Sequence, residues 1–322
     1  MTNNIVCEIA AGIYRIDVNH PQPQTTCCYL IAHGNAQAII DCGGGTRGTT
    51  AVLSALKSLA IAPEKINFLL ATHAHLDHSG AAGQLMQQLP QATFAAHPDT
   101  VKHLTAPDAA LVPASRALYG NTFFDTYYGG IVPIANERTR VLQDDEEVLL
   151  DGNTLRVVYT PGHAWHHVSF YESKNAFLVA GDAYGISYRQ LDGNDTCLLV
   201  PVMPPSQYNP PALIASIHRL HQLGAKTIGL AHYSTLDNAR YHEDYLQMLL
   251  QAQTQWQQQA ELLFAEKQEN FYARMKQYLL DWVRTRAQER GLCADTAQKL
   301  HEHDSGLSAG GFEYYLKKNA AA

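Results

Sequence analysis

The stretch Thr72-His73-Ala74-His75-Leu76-Asp77-His78-Ser79-Gly80 restricts this chain more than any other. His73, His75, Asp77 and His78 fall within six residues, and all are first-choice ligands for a borderline divalent cation. Protonated imidazoles this close together would repel one another, whereas neutral ones can share cations. Ahead of them, Ile66-Asn67-Phe68-Leu69-Leu70-Ala71 reads as a buried strand. Behind them, Gly80 to Met86 reads as a helix with Ser79 as its N-cap. The four side chains are therefore expected on a strand-to-helix loop, where an open α/β layer carries its chemistry.

The remaining chain alternates strands with helices. Gly12–Val18, Cys28–Ala32 and Ala36–Asp41 read as antiparallel strands, the last two joined at Gly34-Asn35. Gly43-Gly44-Gly45 then breaks the chain before a helix reaching about Leu59. From His97 to Asn136 the periodicity fades, and an irregular binding loop or lid is expected. Its aromatic part, residues 118–130, serves either to line a pocket or to pack on itself. Strands resume at Glu147–Leu150 and Leu155–Tyr159 around an Asp151-Gly152 turn, then at Val168–Tyr171, Ala176–Ala180 and Thr227–Ala231. Two runs of strands, each with helices, predict two sheets face to face with helices outside.

Residues 1–236 form the expected catalytic domain, and 237–322 an α-helical extension packed on it. Tyr245, Leu249, Ala252 and Trp256 mark one long helix, and Phe271, Met275, Tyr278, Leu279 and Trp282 another. That stripe suits core packing or a homodimer seam. Asp304 to Leu316 reads as a short docked helix.

Composition narrows the function. A net charge of −7 without a block of Lys or Arg argues against a nucleic-acid partner. No apolar run approaches the ~18 residues that span a bilayer, and the first residues lack the pattern of a signal peptide. The six cysteines contain no C-x-x-C pair, and the adjacent Cys27 and Cys28 point to opposite faces of a strand. Small buried thiols in a reducing compartment fit this usage, so a cytoplasmic protein with a small-molecule substrate is expected.

Five separated motifs carry a resemblance to a known family. They are the His73–His78 cluster, Asp41 after a strand, Pro161-Gly162-His163, Gly181-Asp182 and Ala231-His232. Together, over about Ile5 to Tyr233, they resemble the metallo-β-lactamase-fold superfamily, on its glyoxalase II/lactonase-like side with a helical C-terminal extension. The resemblance implies a four-layer αββα sandwich. It also implies that His73, His75 and His163 hold one metal ion, that Asp77, His78 and His232 hold a second, and that Asp182 bridges them. Seven ligands are too many for one catalytic ion and suit two. Zinc is the first expectation, with iron or manganese as alternatives.

Two such ions lower the pKa of a shared water toward neutrality and polarise a carbonyl, which predicts hydrolysis of a small ester, thioester or lactone. Asp77 can pass a proton to the leaving group. No G-x-S-x-G elbow is present, in keeping with a metal-activated nucleophile. Tyr184, two residues past Asp182, is a candidate donor to the carbonyl oxygen, and His166 and His167 are candidates for supporting or structural roles. His97, His103, His218, His221, His242, His301 and His303 are read as solvent-facing or structural. The rival readings are a mononuclear iron persulfide dioxygenase-like oxidoreductase on the same fold, and a non-catalytic metal- or partner-binding protein.

Overall fold

The computed structural model describes residues 5–193, 196–266 and 269–320. Strands β1 (Val6–Ala10), β2 (Ile13–Asp17), β3 (Cys27–His33) and β4 (Ala36–Ile40) form an antiparallel meander. Helix α1 (Gly45–Ser58) then crosses to β5 (Ile66–Leu70), parallel to β4. The short helices α2 (Leu76–Ser79) and α3 (Ala82–Met86) lead to β6 (Thr93–Ala96). After α4 (Pro98–Thr105), α5 (Leu111–Tyr119) and α6 (Asn121–Tyr127), β7 (Thr139–Val141) completes a seven-stranded sheet in chain order.

The second sheet has six strands. It begins with the antiparallel run β8 (Glu147–Leu150), β9 (Asn153–Tyr159), β10 (Val168–Glu172) and β11 (Phe177–Gly181). Helix α7 (Pro210–Gln222) crosses to β12 (Thr227–Leu230), parallel to β11, and β13 (Thr235–Asp237) ends the sheet. Four helices follow: α8 (Asn238–Ala265), α9 (Phe271–Glu289), α10 (Ala294–Leu300) and α11 (Glu302–Ala320).

Period-two alternation sorts the apolar side chains into layers. On β3 and β4, Tyr29, Ile31 and Ile40 face the second sheet, while Cys28, Leu30 and Ile39 face α1 and α3. On β9 and β11, Val157, Phe177 and Val179 complete the inter-sheet core, whereas Val158 and Leu178 face the helices outside. Cys27 and Cys28 do enter different cores, as their alternation requires. The result is the expected αββα sandwich.

The stripe Tyr245, Leu249, Ala252 and Trp256 is buried in the same core as Leu178, Leu213 and Ile228, so it is consumed by packing within the chain. Trp256 meets Trp282 of α9 edge-on, with ring centres 5.1 Å apart.

Three local expectations need correction. Ser79 ends α2 rather than capping the next helix, because its hydroxyl donates back to the His75 carbonyl. The segment predicted as irregular is largely helical. Its helices are short and punctuated by Pro98, Pro107, Pro113 and Gly120, which breaks the periodicity that a longer helix would show. Pro98 and Pro113 both fall in first turns, where no intrahelical N–H is missed. Finally, the closing segment is part of a 19-residue helix, not a short one.

Candidate metal centre

The ligand-type residues of the centre lie on the connections that follow strands, with Asp77 and His78 on α2. β4 leads into Asp41, β5 into His73, β11 into Asp182 and β12 into His232, while His163 sits on the β9–β10 connection. This is the rim of the sandwich where parallel strands deliver their carboxyl ends. Asp41 adopts φ +62°, an uncommon conformation for a residue with a side chain. That bend sends its carboxylate across to the neighbouring strand end. There it accepts from the Thr72 backbone N–H at 2.7 Å, the Thr72 hydroxyl at 2.8 Å and His78 Nδ1 at 3.2 Å.

These bonds determine which ring nitrogens face the centre. Because the Thr72 hydroxyl gives its one proton to Asp41, it accepts from His73 Nδ1 at 3.0 Å, leaving a lone pair on His73 Nε2. His163 Nδ1 donates to the Val202 carbonyl at 2.9 Å, and His232 Nδ1 to the Thr25 carbonyl at 3.1 Å. With His78 held by Asp41, four histidines aim Nε2 inward, each oriented from behind. His75 is the exception and presents Nδ1.

The inward atoms form two groups. His75 Nδ1 lies 2.9 Å from His73 Nε2 and 3.2 Å from His163 Nε2. Asp77 Oδ2 lies 3.4 Å from His78 Nε2 and 3.5 Å from His232 Nε2. Asp182 Oδ2 stands between them, 3.4 Å from His163 Nε2, 3.4 Å from His78 Nε2 and 3.6 Å from His232 Nε2. Ligand atoms around a tetrahedral ion of zinc-like size are about 3.3 Å apart. The donor set therefore fits divalent cations. His78 Nε2 and Asp182 Oδ1 are buried without hydrogen-bond partners, as ligand positions for a cation would be.

The two groups differ in charge. Burial, together with the surrounding imidazoles, keeps His73 well below the ordinary histidine range and pulls His75 to about 3. Burial also disfavours charge on His78 and His232. There the Asp182 and Asp77 carboxylates outweigh it, raising His78 well above the usual range and His232 to about 9. For Asp182, burial opposes ionisation but His78, His232 and His163 overcome it, so its carboxyl stays ionised.

His166 and His167 support the loops. Ala74 N–H donates to His166 Nδ1 at 3.3 Å, and Asp182 N–H donates to His167 Nε2 at 3.1 Å. His167 Nδ1 then donates to the Thr160 hydroxyl at 2.7 Å. Gly181 makes room for this ring: a Cβ there would stand 2.5 Å from His167 Nε2.

Tyr184 does not join the site. It is wholly buried in the outer core of the second sheet, near Glu243, with its hydroxyl unbonded, and it does not line the cavity. After β11, the tyrosine that reaches the cavity is Tyr188, whose hydroxyl donates to Asp304 Oδ2 at 2.9 Å. His303, read from sequence as solvent-facing or structural, also lines the cavity and stacks near Tyr119 at 6.1 Å. Helix α11 is thus part of the wall, as are Tyr119, Phe123, Tyr127 and Tyr128 of the aromatic segment. Sequence reasoning also missed His20, whose Nε2 lies 3.3 Å from the Tyr128 hydroxyl. Nothing in the spacing of these wall residues ties them to the centre.

The described residues include no helix long and apolar enough to cross a membrane. A protein of Sulfurisphaera tokodaii described as metallo-beta-lactamase fold-containing is 28% identical over 191 residues, covering 58% of this chain and 67% of the relative. A thioesterase, pkgB, of Emericella nidulans is 28% identical over 177 residues, covering 54% of this chain but only 41% of that protein. The crystal structure of a metallo-beta-lactamase family protein from Thermus thermophilus superposes with a TM-score of 0.63 at 22% identity. It covers 98% of this chain and 96% of its own, so the shared fold takes in the helical tail. The family model described as the metallo-beta-lactamase superfamily matches residues 23–232, from the loop before β3 to His232, and the chain belongs to that superfamily.

Proposed function

We propose that this protein is a dinuclear metal-dependent hydrolase of a small ester, thioester or lactone. One observation carries the reading: Asp182 Oδ2 lies within 3.6 Å of histidine nitrogens from both ligand groups, which is what a carboxylate shared by two cations requires. The thioesterase among the relatives supports a hydrolytic reaction of this general type. His73, His75 and His163 would hold one ion, and Asp77, His78 and His232 the other, with Asp182 between them. Divalent ions there would supply Lewis acidity, lowering the pKa of water and polarising the substrate carbonyl.

The chain's own residues supply orientation and proton handling. Asp41, Thr72, Val202 and Thr25 hold the ligand rings from behind. Asp77 borders the cavity with its side chain 18% exposed, placing a carboxylate where it can carry a proton to the leaving alcohol or thiol. Tyr119, Tyr128 and Phe123 wall the site and limit water around the reacting carbonyl. Water adds its oxygen to the acyl carbon, the bond to the leaving oxygen or sulfur breaks, and an acid and an alcohol or thiol result.

The test is metal content together with turnover of an ester, thioester and lactone panel, for the wild type and Asp182→Ala. Two zinc or manganese equivalents are expected in the wild type. The variant should lose metal, and its turnover should fall by about 10²–10⁴-fold, the range for losing a group at the reacting centre. Full activity in metal-free Asp182→Ala protein would overturn the reading. So would one iron per chain with thiol-dependent oxygen uptake.

A further inference from the structure

A second cavity of about 600 Å³ adjoins the first, whose volume is about 310 Å³, and the two share His75, Tyr119 and Pro204. It is a groove bordered by His75 of the metal centre. One wall is a single face of α5, where Leu111, Ala114, Ser115 and Leu118 recur at helical spacing. The other wall includes Pro204 and Pro205. Leu118 is left 44% exposed along it. Trp165, 49% exposed, is tied to this wall only through its backbone, whose N–H donates to the Gln207 carboxamide that lines the groove. Among the described residues lining the groove, any charge rests on histidines alone.

We propose that this groove holds the linear alkyl chain of an uncharged acyl substrate whose carbonyl lies at the metal centre. The inference rests on the hydrolase reading and adds a substrate class to it. Continuity decides the occupant. A molecule whose carbonyl lies beside His75 has the groove next to it across the shared residues His75, Tyr119 and Pro204, and much of the groove's lining is apolar, including Leu111, Ala114, Ala117 and Leu118 of α5. Each methylene taken from water into such a wall favours binding, and a partly open groove realises about half of the full effect.

The experiment measures kcat/KM for p-nitrophenyl acetate, butyrate and octanoate with metal-loaded protein, and calorimetric binding of octanamide against acetamide. We expect kcat/KM to rise by about twofold per added methylene, and octanamide to bind where acetamide does not. Ala114→Trp fills the groove from an exposed helix position, and Leu118→Asp places a carboxylate in it. Both variants should remove the chain-length dependence and the octanamide binding while leaving acetate turnover unchanged. Acetate turnover with no dependence on chain length would overturn the groove assignment alone. So would equal losses on acetate and octanoate in both variants. Absence of hydrolysis for every ester would instead count against the hydrolase reading, and octanamide binding would then still decide the groove.

Discussion

His75 and His232 aim a ring nitrogen at the same centre, and burial disfavours a proton on both. Yet His75 is pulled down to about 3, while the Asp182 and Asp77 carboxylates raise His232 to about 9. The first ligand group is thus a set of neutral imidazoles already in the state a cation needs. The second, without metal, is closer to a buried ion-pair network in which protons stand in for the cation. The contrast teaches that ligands of one chemical type can be prepared in opposite ways. Where histidine surrounds histidine, protonation is suppressed. Where carboxylates intrude, it is favoured until metal displaces it.

The sharpest test of this contrast is the pH dependence of metal binding. His78 and His232 carry raised pKa values, so they are protonated at neutral pH and loading must expel those protons. Affinity at the second group should therefore climb as pH rises from 6 toward 9, by up to about tenfold per pH unit for each proton displaced. The first group, with His73 and His75 depressed, should show little change over that window. Chelator competition at pH 6.5 and 8.5, with calorimetry in two buffers to count protons, reads both. Equal slopes for the two ions would break the comparison.

Asp41→Asn provides a second test, because Asp41 binds His78 of the second group directly and touches the first only through Thr72. A metal at the second group should lose about 10–100-fold in affinity, with one at the first group changing less. Equal losses at both would show that Asp41 braces the whole rim.

The smallest effect belongs to the wall. Tyr188→Phe removes the hydroxyl that donates to Asp304 of α11 and should change kcat/KM by about two- to tenfold. Tyr184→Phe, in the core beneath, should leave kinetics within error. If the two variants behaved alike, α11 would be a passive cover.

Much of the sandwich can be read from alternation. Leu30 and Ile31, or Val157 and Val158, announce two-sided burial, and Gly34-Asn35 and Asp151-Gly152 announce hairpins. The helices between His97 and Asn136 escape because seven to nine residues between prolines and glycines hold too few periods to register. Ser79 misleads for a related reason, since its hydroxyl can bond backward as readily as forward. Proximity in sequence to Asp182 favours Tyr184. After β11, however, the chain turns, sending Tyr184 into the core and Tyr188 toward the cavity.

Sequence alone was enough for the alternating strands, the strand-to-helix loop dense in histidine and aspartate, and the family likeness. These depend on residues near one another in the chain, or on separate short motifs. Folding settled which nitrogen of each histidine faces inward, how charge divides between the two groups, and that the tail lines the cavity. Those properties arise from contacts between distant residues: Tyr188 meets Asp304 across 116 positions and His163 meets His75 across 88. Protonation and orientation follow from distances of a few ångströms, which local spacing in a chain does not encode.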